Sequence, residues 1–329
     1  MASLSLPGTK AKKYNGPRPV SIRQDLLQIA DLLEVSFTDM DYSGRMAVRE
    51  MRTLAHSGPL LWLLQGMDRM IKALMQGFVW VEDEHIVGNV SISRAGFENT
   101  WIIANVAVHP DYRGHGIATA LCQKALERIS SWRGSAAVLQ VEAQNPGAHH
   151  IYQKLGFYDE RTFTRWRWRF SDHTPRPLEN MPRITYRAPH EWHDEYELAE
   201  LVRPQHMGGL GWLRPNSPSH FRPWFTNLFK PGRTEHWIVR GGNNLDAAIL
   251  TQAAFGSAYL RFDMLVHPHR QGYLEDALVN YILRYAAQQY RGALTEHPAD
   301  DLQAEKVFRY HHFEAERTLI HMRWENPYL

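Results

Sequence analysis

One cysteine, Cys122, stands in 329 residues, so no disulfide can form within the chain and a reducing compartment is expected. No stretch approaches the roughly 18 consecutive apolar residues that mark a membrane-spanning helix, and the N-terminus lacks an apolar signal core. The expected location is therefore cytoplasmic, with no membrane partner. Charge of one sign is also missing. Lys plus Arg number 37 against 35 for Asp plus Glu, which gives no basic excess to hold nucleic acid. The two commonest phosphate loops, GxxxxGK[ST] and GxGxxG, are absent, and no metal is expected. What remains is an ordinary globular composition, 44% hydrophobic and 22% charged, in a chain long enough for two domains.

The most informative stretch is Trp101 to Leu126. Trp101–Val108 is an apolar run of strand length, rich in β-branched residues, and His109-Pro110 stops it. Arg113-Gly114-His115-Gly116-Ile117-Ala118 then forms a glycine-bearing turn. From Ala118 to Ile129 the apolar residues Leu121, Cys122, Ala125, Leu126 and Ile129 fall on one face of a helix. Strand, glycine loop and helix N-terminus together hold an anion: bare backbone approaches closely, and the first helical turn offers unpaired N–H groups. Cys122 reads as a small core residue of that helix.

Before this stretch, residues 1–17 read as a disordered lead-in. Pro19–Ile22 is a strand candidate, Leu26–Phe37 an amphipathic helix, and Met46–Met75 one or two helices. Phe78–Val81 and Ile86–Ile92 make a hairpin. After it come a strand at Ala136–Val141, a short helix at Ala148–Leu155 closed by Gly156, and a strand at Phe163–Phe170. That last strand alternates aromatic residues with Arg165, Arg167 and Arg169, as an edge or terminal strand would. The arginine row is either a basic patch or, more commonly in proteins, one solvated face. Pro175, Pro177 and Pro182 mark residues 172–182 as a linker.

The pattern then restarts. Val108-His109-Pro110 returns as Val266-His267-Pro268, and Phe157, Glu160, Arg161, Thr162, Arg167 and Trp168 return as Phe313, Glu316, Arg317, Thr318, Arg323 and Trp324. Two copies of one mixed α/β unit are expected, at 18–171 and 183–329.

The segment Arg-x-x-Gly-x-Ala, Arg113 to Ala118, following Val-Ala-Val-His-Pro, resembles the acyl-CoA pyrophosphate loop of the GCN5-related N-acetyltransferase (GNAT) superfamily. The resemblance covers roughly residues 18–170. It implies a twisted mixed sheet, mostly antiparallel and flanked by helices, with acetyl-CoA as cosubstrate and an amine as acceptor. It further implies that Val106, Ala107 and Val108 pair with pantetheine, and that Arg113, Gly114, His115, Gly116, Ile117, Ala118 and Thr119 surround the pyrophosphate. Asn145 lies where the family often touches the pantetheine arm, and Tyr152 where many members place the acid that protonates the leaving thiolate. A tyrosine packed on its own helix is the plainer reading of Tyr152.

One departure stands out. Members that acetylate ribosomal proteins carry a glutamate on the fifth strand, where this chain has Gln140; Glu142, two residues on, is the first candidate base, ahead of Asn105, His109 and His149. The second copy keeps one glycine in its loop, places Glu275 and Asp276 at the helix start, and has Phe308 at the tyrosine position. It is therefore expected to bind no CoA and to act as scaffold, making the chain an intrachain pseudo-dimer, as a monomer or a homodimer. The expected function is N-acetyl transfer; a non-catalytic CoA-responsive binding protein is the alternative. Trp62, Trp80 and Trp101 are candidates for an aromatic acceptor site, or core.

Overall fold

The computed structural model describes residues 15–37, 42–56, 76–95, 99–170, 174–211, 218–222, 233–242, 244–254 and 256–329. The lead-in up to residue 14, most of the segment after His56, and Trp62 lie outside these. Contacts divide the chain into two compact units: Met1–Ala137 with Ile151–Gly156 and Glu325–Leu329, and Val138–His150 with Phe157–Trp324. Among the described residues no helix is long and apolar enough to cross a membrane.

In the first unit, β1 (Gly16–Pro19), β2 (Phe78–Glu82), β3 (His85–Arg94) and β4 (Thr100–Val108) form an antiparallel series in that order. Helices α1 (Ile22–Ser36) and α2 (Tyr42–His56) bury Leu26, Ile29, Leu33 and Met51 against Val79, Val81, Ile86 and Ala107. Helix α3 (Ile117–Ser131) lies on the opposite face. Gly88, which pairs with Trp80 and Val108, would bring a Cβ to 2.8 Å from Ile117 and 2.9 Å from Leu121, so any larger residue there would force those side chains of the helix to shift. Its neighbour Asn89 pairs with Val79 and Ala107 and so faces α1.

Both N-terminal elements start earlier than the sequence pattern suggests: β1 ends at Pro19 and α1 begins at Ile22. Asp25 is the reason. Its carboxylate accepts the Ser21 N–H at 2.7 Å and both Arg18 Nη groups at 2.6 and 2.7 Å, which fixes the chain entering the helix.

The second unit holds most of β5 (Ala136–Glu142), then β6 (Tyr158–Arg169), β7 (Ile184–Tyr186), β8 (Arg233–Gly241), β9 (Asn244–Ala253), β10 (Tyr259–Val266), β11 (Gly292–Pro298) and nearly all of β12 (Glu314–Glu325). They line up as β5-β12-β6-β11-β10-β9-β8-β7, with β10 and β11 parallel and β6 antiparallel to both its neighbours. The helices are α4 (Pro146–Lys154), which continues into the first unit, α5 (Trp192–Val202), α6 (Pro218–Phe221), α7 (Glu275–Gln289) and α8 (Leu302–Tyr310). Alternation sorts the strands onto two faces: Trp237, Ile249 and Met264 pack with α7 and α8, while Ile238, Ala248 and Leu265 pack with α5.

Strand β6 is thus interior, not an edge. Its aromatic face, Trp166 and Trp168, enters the core, and its arginine face meets carboxylates of β12: Arg167 pairs with Glu316 and Arg169 lies 3.6 Å from Glu314. Arg165 is buried and Arg167 half-buried, while Arg169 is exposed, so the row runs from the interior to solvent and only its end is a solvated face. Centred on Phe163 opposite Leu319, the β6–β12 pairing is close to self-complementary, and one step away the Thr164 and Thr318 hydroxyls are 3.1 Å apart.

Candidate active site

The glycine loop in the first unit leaves β4 at Val108. His109 Nδ1 accepts the Asp111 N–H at 3.4 Å and opens a 3₁₀ turn at Pro110–Tyr112. Gly114 and Gly116 follow with φ of +83° and +78°, and a Cβ at either would meet nothing within 4 Å. These glycines therefore serve backbone conformation and an open concavity, not packing. Gly116 is the N-cap of α3, whose first turn holds no acidic side chain. The N–H groups of Ile117, Ala118 and Thr119 point out of that turn without intrahelical acceptors, and the helix dipole adds partial positive charge. A turn of this kind can hold an anion. Arg113 braces it, donating from Nε to Val108 O at 3.2 Å and from Nη2 to Ser36 O at 3.4 Å; His115 Nδ1 lies 3.2 Å from Tyr112 O.

Upstream, β4 carries a bulge at Asn105, whose φ is +51°. Asn89 Nδ2 donates to Asn105 O at 2.9 Å, and Asn105 Nδ2 lies 3.2 Å from Ser91 Oγ. Asn105 thus holds the strand's distortion. Tyr152, on α4, is 7% exposed, and burial together with the nearby Cys122 raises its phenol well above the ordinary value. Cys122 is fully buried, its thiol pushed up to about 12, and it is a core residue.

At the end of β5, in the second unit, Glu142 is exposed and on the same face as Gln140. Asn145 caps α4, its Oδ1 accepting the Ala148 N–H at 3.0 Å. His149 Nε2 is 2.8 Å from Asp159 Oδ1. Among the sequence-derived base candidates, Asn105, His109 and His149 all have local structural partners, while Glu142 faces solvent. Trp101 is core, 4.5 Å from Trp132, and the half-buried Trp80 donates to Glu82 at 2.8 Å.

The second loop has the same frame and different contents. His267 Nδ1 accepts the His269 N–H at 3.4 Å, as His109 does for Asp111, and Gly272 has φ +83°. But Glu275, buried, accepts the Gly272 N–H at 3.0 and 2.9 Å. A carboxylate of the chain itself occupies the anion position, and its burial raises its pKa. Counting back from Val-His-Pro, Met264 stands where Val106 does, and its carbonyl is taken by Arg203 Nη2 at 3.1 Å. Arg203 is 2% exposed and also donates to Leu210 O and Glu296 O, both at 3.3 Å, and to His297 Nδ1 at 2.7 Å. A cavity of about 310 Å³ remains, lined by Arg161, Arg203, His297, Asp300, Asp301 and Gln303 among others.

This cluster makes the second unit acid-sensitive. Burial and the Arg203 charge push His297 down to about 4. Burial alone would raise Asp301, but its hydrogen bond and charge interaction with His297 and the Ala304 N–H bring it down to about 2. An unfolded histidine takes its proton near pH 6.5, so stability from neutral His297 is complete above that and is lost as pH falls to about 4. Asp301 adds a further loss between its unfolded value of about 3.9 and about 2. Denaturant melts at pH 7 and pH 4.5 should differ by about 2–3 kcal/mol, and His297→Gln should flatten that difference.

Arg203, Glu275 as a cap, and the buried pair Glu296 and His321, 3.0 Å apart in the second unit, were not singled out from sequence. For Glu296 a signal existed: it lies 156 residues after Gln140, the spacing of the repeat.

Residues 46–157, about a third of the chain, match the Acetyltransferase (GNAT) family. Over 83 residues the chain is 32% identical to N-alpha-acetyltransferase 30 of Schizosaccharomyces pombe, a match covering 24% of this chain and 55% of that protein. The chain thus spans about half the length of this relative. A GCN5-related N-acetyltransferase from Sphaerobacter thermophilus has the same fold, with a TM-score of 0.63 at 16% identity over 94% of this chain and 95% of that one. So does a tandem GNAT protein from the clavulanic acid biosynthesis pathway, with a TM-score of 0.52 at 16% identity over 94% and 98%.

Proposed function

We propose that the chain is an N-acetyltransferase that moves the acetyl group of acetyl-CoA to a primary amine. One observation carries this reading: of two loops with the same frame, the one at Gly114–Thr119 is open and free of acidic side chains, while its counterpart is filled by Glu275. The GNAT segment and the relative's name support acetyl transfer as the chemistry. The pyrophosphate rests on the α3 N-terminus, Val106–Val108 pair with pantetheine, and Asn145 lies beside its arm.

In the reaction the amine nitrogen attacks the thioester carbon, the C–N bond forms, and the C–S bond breaks. The amine's proton passes to Glu142 and the phenol proton of Tyr152 to the departing thiolate. A β4 backbone N–H meets the oxyanion. The residues 183–329 form a second copy that holds no CoA and supports the first. Gln140 in place of glutamate favours a second reading, a CoA-responsive binding protein without turnover.

Thiol release from acetyl-CoA, measured with spermidine, tyramine, aspartate and a peptide with a free N-terminus, separates the two. Release with at least one amine, and calorimetry giving one acetyl-CoA per chain, is the expected result. Tight binding without release from any amine would favour the binding protein, and two sites per chain would refute the closed second copy.

A further inference from the structure

We propose that the cavity of the second unit is a binding site for a neutral, hydroxyl-rich ring of monosaccharide size. The proposal is independent of acetyl transfer and gives the second unit a ligand of its own.

The cavity follows from the way two parallel strands part. β10 and β11 pair only through Tyr259–Arg261 and Gly292–Leu294, and beyond these residues they separate. Arg203 bridges part of the gap, reaching Met264 O on β10 at 3.1 Å and Glu296 O on β11 at 3.3 Å. The space left, about 310 Å³, is lined by the last residues of both strands, among them Val266 and Pro298. Open sheets commonly leave a ligand crevice at such carboxyl ends. The volume falls at the low end of the roughly 300–1,000 Å³ of small-ligand sites.

The wall decides the charge of the occupant. Two arginines and two aspartates line the cavity, and each is matched within the wall. Asp300 accepts from Arg161 Nε and Nη2 at distances between 2.9 and 3.2 Å, and Arg161 Nη1 donates to Val202 O at 3.4 Å. Arg203, which can only donate, meets His297 Nδ1 at 2.7 Å; the ring proton is therefore on Nε2, which donates to Asp301 Oδ2 at 2.9 Å. Neither an anion nor a cation meets an unbalanced charge here, and burying one would cost desolvation with no partner to offset it.

What the wall has to spare is hydrogen-bonding capacity. A carboxylate offers about four acceptor sites, and the Ala304 N–H and His297 occupy only part of those on Asp301. The exposed amides of Gln271 and Gln303 have no hydrogen-bond partner among the described residues, and they supply both donors and acceptors. They stand close together, since a Cβ on Gly272 would lie 3.9 Å from Gln303 Oε1. Val202, Met264, Val266, Pro298 and Leu302 complete the wall with apolar surface. A hydroxyl both donates and accepts, so a ring bearing several satisfies carboxylate and amides alike. Its C–H faces then lie against the apolar side chains. A sugar or cyclic polyol presents this combination without net charge.

The test is calorimetry on the full chain, titrating glucose, galactose, ribose and myo-inositol. At least one should bind, one per chain, with a Kd of about 1 mM or tighter. Affinity should change less than about twofold from about 50 mM to 0.5 M salt, because no charge is bound. Glucuronate and deoxynojirimycin, anionic and cationic counterparts of glucose, should bind about tenfold more weakly. Gln271→Leu with Gln303→Leu should weaken the neutral ring about tenfold, since two hydrogen-bonding groups are lost. Leu302→Arg sets an unbalanced charge at the rim and should weaken it as well. All three side chains are exposed, so an unchanged melting temperature without ligand verifies folding. Binding should persist with acetyl-CoA saturating. Failure of every neutral ring to bind, tighter binding of a charged counterpart, displacement by acetyl-CoA, or an affinity that ignores both variants would overturn the proposal. A chain that proved unable to transfer acetyl groups would leave it in place.

Discussion

Gly116→Glu should weaken acetyl-CoA binding by about a hundredfold or more in a calorimetric titration, with the fold retained. Two effects act together. The residue sits at φ +78°, where a side chain other than glycine's introduces strain of about 1–2 kcal/mol. No atom lies within 4 Å of the added Cβ, so collision with the chain itself is not the cause. The larger effect is the carboxylate placed at the N-cap of α3, where phosphates would gather. That charge favours the helix N-terminus by roughly 0.3–1 kcal/mol, which offsets part of the strain and keeps the protein folded. The second loop already displays the end state: Glu275 holds the Gly272 N–H at 2.9 Å. Gly116→Ala separates the two effects, since it brings strain without charge and should weaken binding by about tenfold at most. A Glu variant that binds acetyl-CoA within about threefold of the original would show that the phosphates rest elsewhere.

The strand, loop and helix from Trp101 to Ser131 were legible because each part has a local cause: β-branched residues, Pro110, two glycines, and a helical apolar face. The recurrence of Val-His-Pro was legible too, and both histidines make the same capping contact. Strand neighbours were not. Alternation says which face of β6 is buried and is silent about which strand lies beside it. The placement of β12 between β5 and β6, and of β6 against β11, depends on pairings more than a hundred residues apart. Arg203 was invisible for a different reason. A buried arginine is recognised only by the carbonyls it satisfies, and Met264 O, Glu296 O and Leu210 O come from three separate segments. For the candidate site itself, the residue types at 140, 142 and 152 could be read, but the contact of Gln140 with Glu296 required the fold.

Tyr152→Phe should lower kcat about a hundredfold and leave acetyl-CoA affinity within about threefold. The phenol is 7% exposed, and burial with Cys122 nearby raises its pKa, so the hydroxyl keeps its proton throughout the range in which amines are acetylated. A leaving thiolate of pKa about 8.5 takes a proton from a group less acidic than itself only with hydrogen bonding and product formation pulling the transfer along. The contribution therefore falls at the low end of the range of about 10² to 10⁴ expected for a positioned acid. The same shift fixes the pH dependence: Tyr152 gives no alkaline limb below pH 10, so any limb seen there must persist in the Phe variant. Loss of one hydroxyl leaves the ring and its packing in place, and melting temperature should move little. Cys122→Ala supplies the control for packing, because a thiol pushed up to about 12 stays neutral and takes no part in the proton transfer. Should kcat survive Tyr152→Phe unchanged, the tyrosine is core and the thiolate draws its proton from water.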